Sequence, residues 1–67
     1  MIEVAPRHAA TIADVLLDSL QQLAAAGETE AACRLAGQAC AVLRRDDVPN
    51  WRRFNALLHR LARPEQA

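Results

Sequence analysis

The chain has 67 residues and a formal net charge of zero, and 52% of its residues are hydrophobic. A domain this short buries only about 60% of the surface that its unfolded form exposes, so its own core is marginal. The zero net charge excludes a polycation. The charges are nevertheless uneven, because residues 1–32 are mainly acidic and residues 33–67 carry seven of the eight arginines.

The start of the chain, MIEVAPRHAAT, precedes the first helical pattern, and we predict a flexible segment over residues 1–10. It lacks the basic region and the apolar core of a secretory signal, and no run of about 18 apolar residues follows it. We therefore predict a cytoplasmic protein with no membrane contact. All eight basic residues are arginine and none is lysine, which indicates a bacterial genome rich in G and C.

The first predicted helix begins after Thr11, a plausible N-cap, with Asp14 placed to complete a capping box. An apolar stripe follows at three- and four-residue steps, and two further apolar residues flank it. The stripe is Ile12, Leu16, Leu20 and Leu23, and the flanking residues are Val15 and Leu17. This arc is wide for a lone amphipathic helix. Gly27 suits the left-handed position that closes a helix.

The second predicted helix runs from Glu28 or Thr29 to Arg45. Its polar line and its apolar face lie on opposite sides at 100° per residue. The predicted core face is Ala32, Leu35, Ala36, Ala39 and Leu43. Because most of these side chains are small, neighbouring helices are expected to pack near the short end of the usual 8–10 Å range.

The third predicted helix opens at Asp46, Asp47 and Pro49, with Asp47 or Asn50 as its cap, and Pro64 ends it. It has an apolar face and a basic face. The apolar face is Trp51, Phe54, Leu57, Leu58 and Leu61, and the basic face holds Arg52, Arg53, His59, Arg60 and Arg63. Short connections favour antiparallel neighbours. The prediction is an all-α domain over residues 11–63, a helical hairpin plus a third helix, followed by a polar tail over 64–67.

Part of this pattern resembles the tetratricopeptide repeat, whose first helix has the spacing W-x2-L-G-x2-Y. Trp51, Phe54, Asn55 and Leu58 stand at that spacing, with Phe54 for Leu, Asn55 for Gly and Leu58 for Tyr. Upstream, the turn at Gly27 and the alanine that follows it resemble the junction between the two helices of a repeat. Ala36 stands where the repeat has an aromatic residue, and Pro49 comes late.

The resemblance spans roughly residues 11–62 and implies one repeat plus the first helix of the next. Such units bury their faces against neighbours and need about three repeats for stability. The resemblance therefore implies that the chain dimerises or docks on a partner. It also suggests a bacterial secretion chaperone or adaptor, since small proteins similar to such repeats serve in those roles.

Cys33 and Cys40 lie seven residues apart, about 10.5 Å along a helix, which is too far for a disulfide within that helix. With only His8 and His59 as histidines and no CxxC or HxxxH spacing, neither zinc binding nor nucleophilic catalysis is indicated. Packing is the main interpretation, and an intermolecular disulfide or a thiol-redox role is the alternative. Gly37, between the two cysteines, costs about 1 kcal/mol in mid-helix, which a closely approaching helix would offset.

The basic face of the third helix has three interpretations. It is a solvated face or one that pairs with the acidic first helix, it binds nucleic acid through phosphates, or it binds an acidic protein. The zero net charge argues against nucleic acid, which remains an alternative. Trp51 is interpreted as a core anchor, with an exposed interface hot spot as the rival.

The sequence therefore predicts a protein–protein interaction module that is not an enzyme and binds no cofactor or metal. We expect a homodimer, or a subunit, adaptor or chaperone of a larger complex. The predicted partner-binding residues are Val15, Leu17, Cys33, Gly37, Cys40, Trp51, Arg52, Arg53, His59, Arg60 and Arg63. The alternatives are a nucleic-acid-binding regulator and a thiol-redox protein.

Overall fold

The computed structural model describes residues 10–63. They form three helices joined by short connections: α1 (Ile12–Ala25), α2 (Thr29–Asp46) and α3 (Val48–Ala62). The central helix α2 packs against both α1 and α3. The prediction of an all-α domain with three packed helices is confirmed. The predicted flexible segment, apart from Ala10, and the predicted polar tail lie outside the described residues.

Both ends of α1 are closed as the sequence predicts. The hydroxyl of Thr11 accepts a hydrogen bond from the backbone N–H of Asp14 at 3.1 Å, and the carboxylate of Asp14 accepts one from the backbone N–H of Thr11 at 3.0 Å. At the other end, Gly27 has a φ of 94°. The N–H of Glu28 then reaches back to the carbonyl of Leu23 at 3.0 Å. This turn sends α2 back along α1.

The junction between α2 and α3 is a single residue, Asp47, which caps α3. One carboxylate oxygen of Asp47 accepts from the backbone N–H of Asn50 at 3.2 Å, and the other accepts from the side-chain amide of Asn50 at 2.9 Å. Pro49 stands in the first turn of α3, where its missing N–H costs no helical hydrogen bond. Of the two predicted caps, Asp47 is therefore the correct one.

The core lies where the three helices meet. Phe54 and Leu57 of α3 pack with Leu20 of α1 and with Ala36 and Cys40 of α2. Ala32 and Ala36 are 0% exposed, so methyl side chains form the centre of α2's inner face. Trp51, Leu58 and Leu61 pack against this cluster from α3. The predicted apolar face of α3 is therefore confirmed in full.

The predicted apolar faces of α1 and α2 are partly wrong. Leu35 was expected in the core but is 42% exposed, and Ile12 and Leu16 of the α1 stripe are 82% and 37% exposed. Helix α2 buries Ala32, Ala36 and Cys40. Leu35 lies roughly 100° around the helix from Ala36, so it lies at the side of α2 rather than on its inner face. Helix α1 is rotated in the same sense, with Ala13 and Leu17 packed against the core instead.

The two glycines are expected to respond to alanine substitution with opposite signs. Gly27→Ala places a side chain at a φ of 94° and should lower the free energy of unfolding by roughly 1–2 kcal/mol. Gly37→Ala should raise it by roughly 0.5–1 kcal/mol, because a Cβ there meets nothing within 4 Å and alanine is the better helix former. Urea unfolding followed by circular dichroism measures both. A loss of stability in Gly37→Ala would contradict the open space seen beside it.

Candidate interaction surface

A groove of about 510 Å³ opens at the end of the molecule where α1 begins and α2 ends. Ile12 and Leu16 line it from α1, Ala39 and Val42 line it from α2, and Phe54 of α3 lines it from below. Ile12, the first residue of α1, is 82% exposed and lies at this opening rather than in the core. The groove is therefore almost entirely apolar along its length.

The polar residues at the end of the groove are already occupied. Thr11 accepts the capping hydrogen bond of α1, and Asp47 accepts two hydrogen bonds from Asn50. These bonds, first that from the Asn50 side chain and then that from its backbone, hold the pKa of Asp47 below its ordinary value. The side-chain oxygen of Asn50 in turn accepts from Arg53 at 2.8 Å. A site of this kind suits apolar side chains better than a small polar ligand, which needs convergent polar groups.

The apolar surface continues from the groove along the α1–α2 hairpin. We call it the hairpin face, and it consists of Ile12, Leu16 and Ser19 of α1 with Leu35, Ala39 and Val42 of α2. The residues repeat at steps of four and three, which keeps them on one side of each helix. Val42 is 70% exposed, so with Ile12 it is among the most exposed large apolar side chains described.

The one polar member of the hairpin face is internally satisfied. Ser19 donates its hydroxyl to the backbone carbonyl of Val15 at 2.8 Å. Within residues 10–63, no buried side-chain nitrogen or oxygen lacks a hydrogen-bond partner. Covering the hairpin face with another apolar surface would therefore leave no side-chain hydroxyl unpaired.

On the basic face of α3, Arg53 is engaged with α1. Its guanidinium donates to the carboxylate of Asp14 at 2.8 Å, which joins α1 to α3. The backbone N–H of Thr11 and the guanidinium of Arg53 hold the pKa of Asp14 below its ordinary value. The predicted pairing with the acidic first helix is thus present for Arg53. The side chains of Arg52, His59, Arg60 and Arg63 are exposed.

The predicted contact residues Cys33, Gly37 and Cys40 of α2 differ in their surroundings. Gly37 has open space beside it, so the close approach expected there is not made by α1 or α3. Cys33 is half-buried, whereas Cys40 is buried in the core, and its burial raises the pKa of its thiol. Cys40 therefore belongs to the interior of the chain, and its role as a partner contact stays a prediction.

The remaining predicted contact residues divide between core and surface. Leu17 and Trp51 pack against the core cluster, so both stabilise the fold, and Trp51 is an anchor as the first interpretation held. Val15 is 56% exposed and lies beside the hairpin face. Of the apolar predictions, only Val15 presents a large side chain to the outside.

Sequence reasoning missed Leu35 and Val42, and it assigned Ile12 and Leu16 to a stripe without recognising that they face outward. One signal was present. The apolar arcs of α1 and α2 are wider than a two-helix contact covers, and in both helices the excess lies on one side. The sequence does not specify how each helix is rotated about its own axis. This rotation decides which of the apolar residues are exposed.

Two other kinds of site are not found in the described part of the chain. No group of three or more His, Cys, Asp or Glu residues is placed there to hold a metal ion. The helices described are too short or too polar to cross a membrane. No protein-family model, curated protein or solved structure matches the chain.

Proposed function

We propose that the chain is a small helical protein–protein interaction module, serving as an adaptor, a chaperone or a subunit of a bacterial complex. The observation that carries the proposal is the hairpin face, whose groove is apolar and whose exposed side chains include Ile12 at 82% and Val42 at 70%. The largest exposed apolar patch of a monomeric protein is often functional. The resemblance to helical repeats, which bury such faces against neighbours, is consistent with this proposal.

The energetics of a short chain support the same proposal. Alanines form most of the inner face of α2, so this helix contributes few large side chains to the core, while its Leu35 and Val42 remain outside. Full burial of an exposed large apolar side chain contributes about 1.5–3 kcal/mol, and each side chain of the hairpin face gains the share of this that corresponds to its exposed fraction. A partner would therefore stabilise the fold as well as use the surface.

The test is photo-crosslinking from one defined position. A photoreactive amino acid replaces Val42 on the hairpin face, and in a matched variant it replaces Val48, which is 44% exposed at the start of α3. In living cells, we expect crosslinks to protein from position 42 and not from position 48. Absence of any protein crosslink from position 42, either to the same chain or to another, would overturn the proposal.

A further inference from the structure

We propose that the hairpin face binds a second copy of this chain, and that the two α1–α2 hairpins stack face to face into an antiparallel four-helix bundle. This inference rests on the proposed function and names its partner. The two-fold axis runs parallel to the helices, between the two hairpins. Each α1 then packs against the α2 of the other copy, and the two helices run antiparallel.

The first argument is the fit between facing residues. Ile12 and Val42 are equally far from Gly27 along the chain, as are Ser19 and Leu35, and Leu16 stands near the level of Ala39. The two-fold axis keeps these levels, so each α1 residue faces its α2 counterpart in the other copy. Leu16 then meets Ala39, and Leu35 meets Ser19.

In these two layers a large side chain faces a small one, which is how interdigitated helix layers fill space. In the end layer, Ile12 of one copy stands over Val42 of the other, beside the groove. Ile12 is exposed enough to enter that groove, whose lining includes Val42 and Leu43. The face is therefore complementary to itself under a two-fold operation, which an isologous interface requires.

The second argument is area. At the exposed fractions observed, the four large side chains of the hairpin face present apolar surface on the order of 400 Å², within the range of the largest patch on a typical monomer. A standard interface buries about 800 Å² on each partner, and homodimer interfaces are about 65% apolar. The hairpin face thus supplies most of the apolar area that a stable dimer of this chain requires.

The third argument is charge. The exposed outer edge of α1 carries the carboxylate of Asp18, whereas that of α2 carries the guanidinium groups of Arg34 and Arg45 against the one carboxylate of Glu30, so its net charge is positive. Stacking α1 of one copy on α2 of the other places an acidic edge beside a basic edge on both sides of the bundle. Opposite charges at the rim favour this pairing over the alternative in which each α1 faces the other α1.

The first experiment measures the oligomeric state of the full chain by sedimentation equilibrium with a thiol reductant present, so that a disulfide through Cys33 does not contribute. We expect a dimer. Val42→Glu should raise the dissociation constant at least about a hundredfold, because it buries an unpaired carboxylate in each half of the interface. The matched control Val48→Glu should leave the dimer intact, and circular dichroism should show both variants folded.

A second experiment tests the arrangement. Ile12→Glu and Val42→Lys should each be monomeric alone, because each introduced charge would be buried against an apolar side chain of the other copy. Mixed in equal amounts, the two variants should form a heterodimer, since the introduced carboxylate of one faces the introduced ammonium of the other. Only contacts between copies are able to produce this rescue, because each chain carries a single substitution.

Three results would overturn the inference. They are a wild-type chain that stays monomeric up to about millimolar concentration, a Val42→Glu variant that remains a dimer, and a mixture of the two charged variants that stays monomeric. If the wild type is monomeric but position 42 crosslinks a different protein, the proposed function stands and only self-association fails. If position 42 crosslinks nothing, both fail.

Discussion

Phe54→Ala is expected to unfold most of the protein at room temperature. Phe54 is 0% exposed and is the largest fully buried side chain described. Truncating a buried Phe costs about 3–5 kcal/mol, which is as large as the whole stability expected of many chains of this size. The helical circular dichroism signal at 222 nm should therefore fall sharply at 25 °C, and any residual transition should have a midpoint lower by more than about 12 °C.

Val48→Ala is the matched control for this substitution. Val48 lies on the same helix, is 44% exposed and is outside the core cluster, so its truncation should change the free energy of unfolding by no more than about 0.5 kcal/mol. A Phe54→Ala variant with a midpoint close to that of Val48→Ala would contradict the core described above. It would mean that α3 folds without the contacts that join it to α1 and α2.

The helices and their caps were predictable because their signals are local. The Thr11–Asp14 capping box, the closing glycine at position 27 and the cap at Asp47 each involve residues within three or four positions of one another. Local hydrogen-bond chemistry decides such features before any tertiary contact forms. The apolar face of α3 was equally clear, since its large side chains follow one narrow stripe opposite the arginines.

The candidate surface was not predictable in the same way because it depends on helix rotation. On α1 the sequence offers two apolar sides, one through Ile12 and Leu16 and another through Leu17, and both share Leu20. The ion pair between Asp14 and Arg53 links residues that are 39 positions apart. In the structure, this ion pair occurs together with Leu17 packed inward and Ile12 exposed. The apolar periodicity of α1 alone does not predict such a contact between distant residues.

Among the small residues of α2, Gly37 was misassigned for a related reason. Small side chains indicate that a neighbour comes close, but both sides of α2 carry them, with Ala32 and Ala36 on one side and Gly37 on another. The structure brings α1 and α3 onto the alanine side and leaves Gly37 open. The core therefore lies on the side predicted from Ala32 and Ala36, whereas the close approach predicted at Gly37, roughly 100° further around the helix, is not made within the chain.

Ala36→Leu is expected to destabilise the protein by about 1–3 kcal/mol, and more if the helices are unable to move apart. Ala36 is 0% exposed, with Leu20, Phe54 and Leu57 in the same cluster, so three added carbon atoms have no space to enter. Thermal unfolding should show a midpoint lower by roughly 4–24 °C, since each kcal/mol corresponds to about 4–8 °C in a chain of this size.

Ala41→Leu makes the same chemical change on the exposed side of α2 and should shift the free energy of unfolding by no more than about 0.5 kcal/mol. The difference between the two variants isolates the effect of burial from that of helix propensity, because alanine and leucine both favour helix. Equal stability of the two variants would show that α1 and α3 are not held closely against α2. The packing would then be loose enough for the helices to rotate, and the hairpin face would lose its defined set of residues.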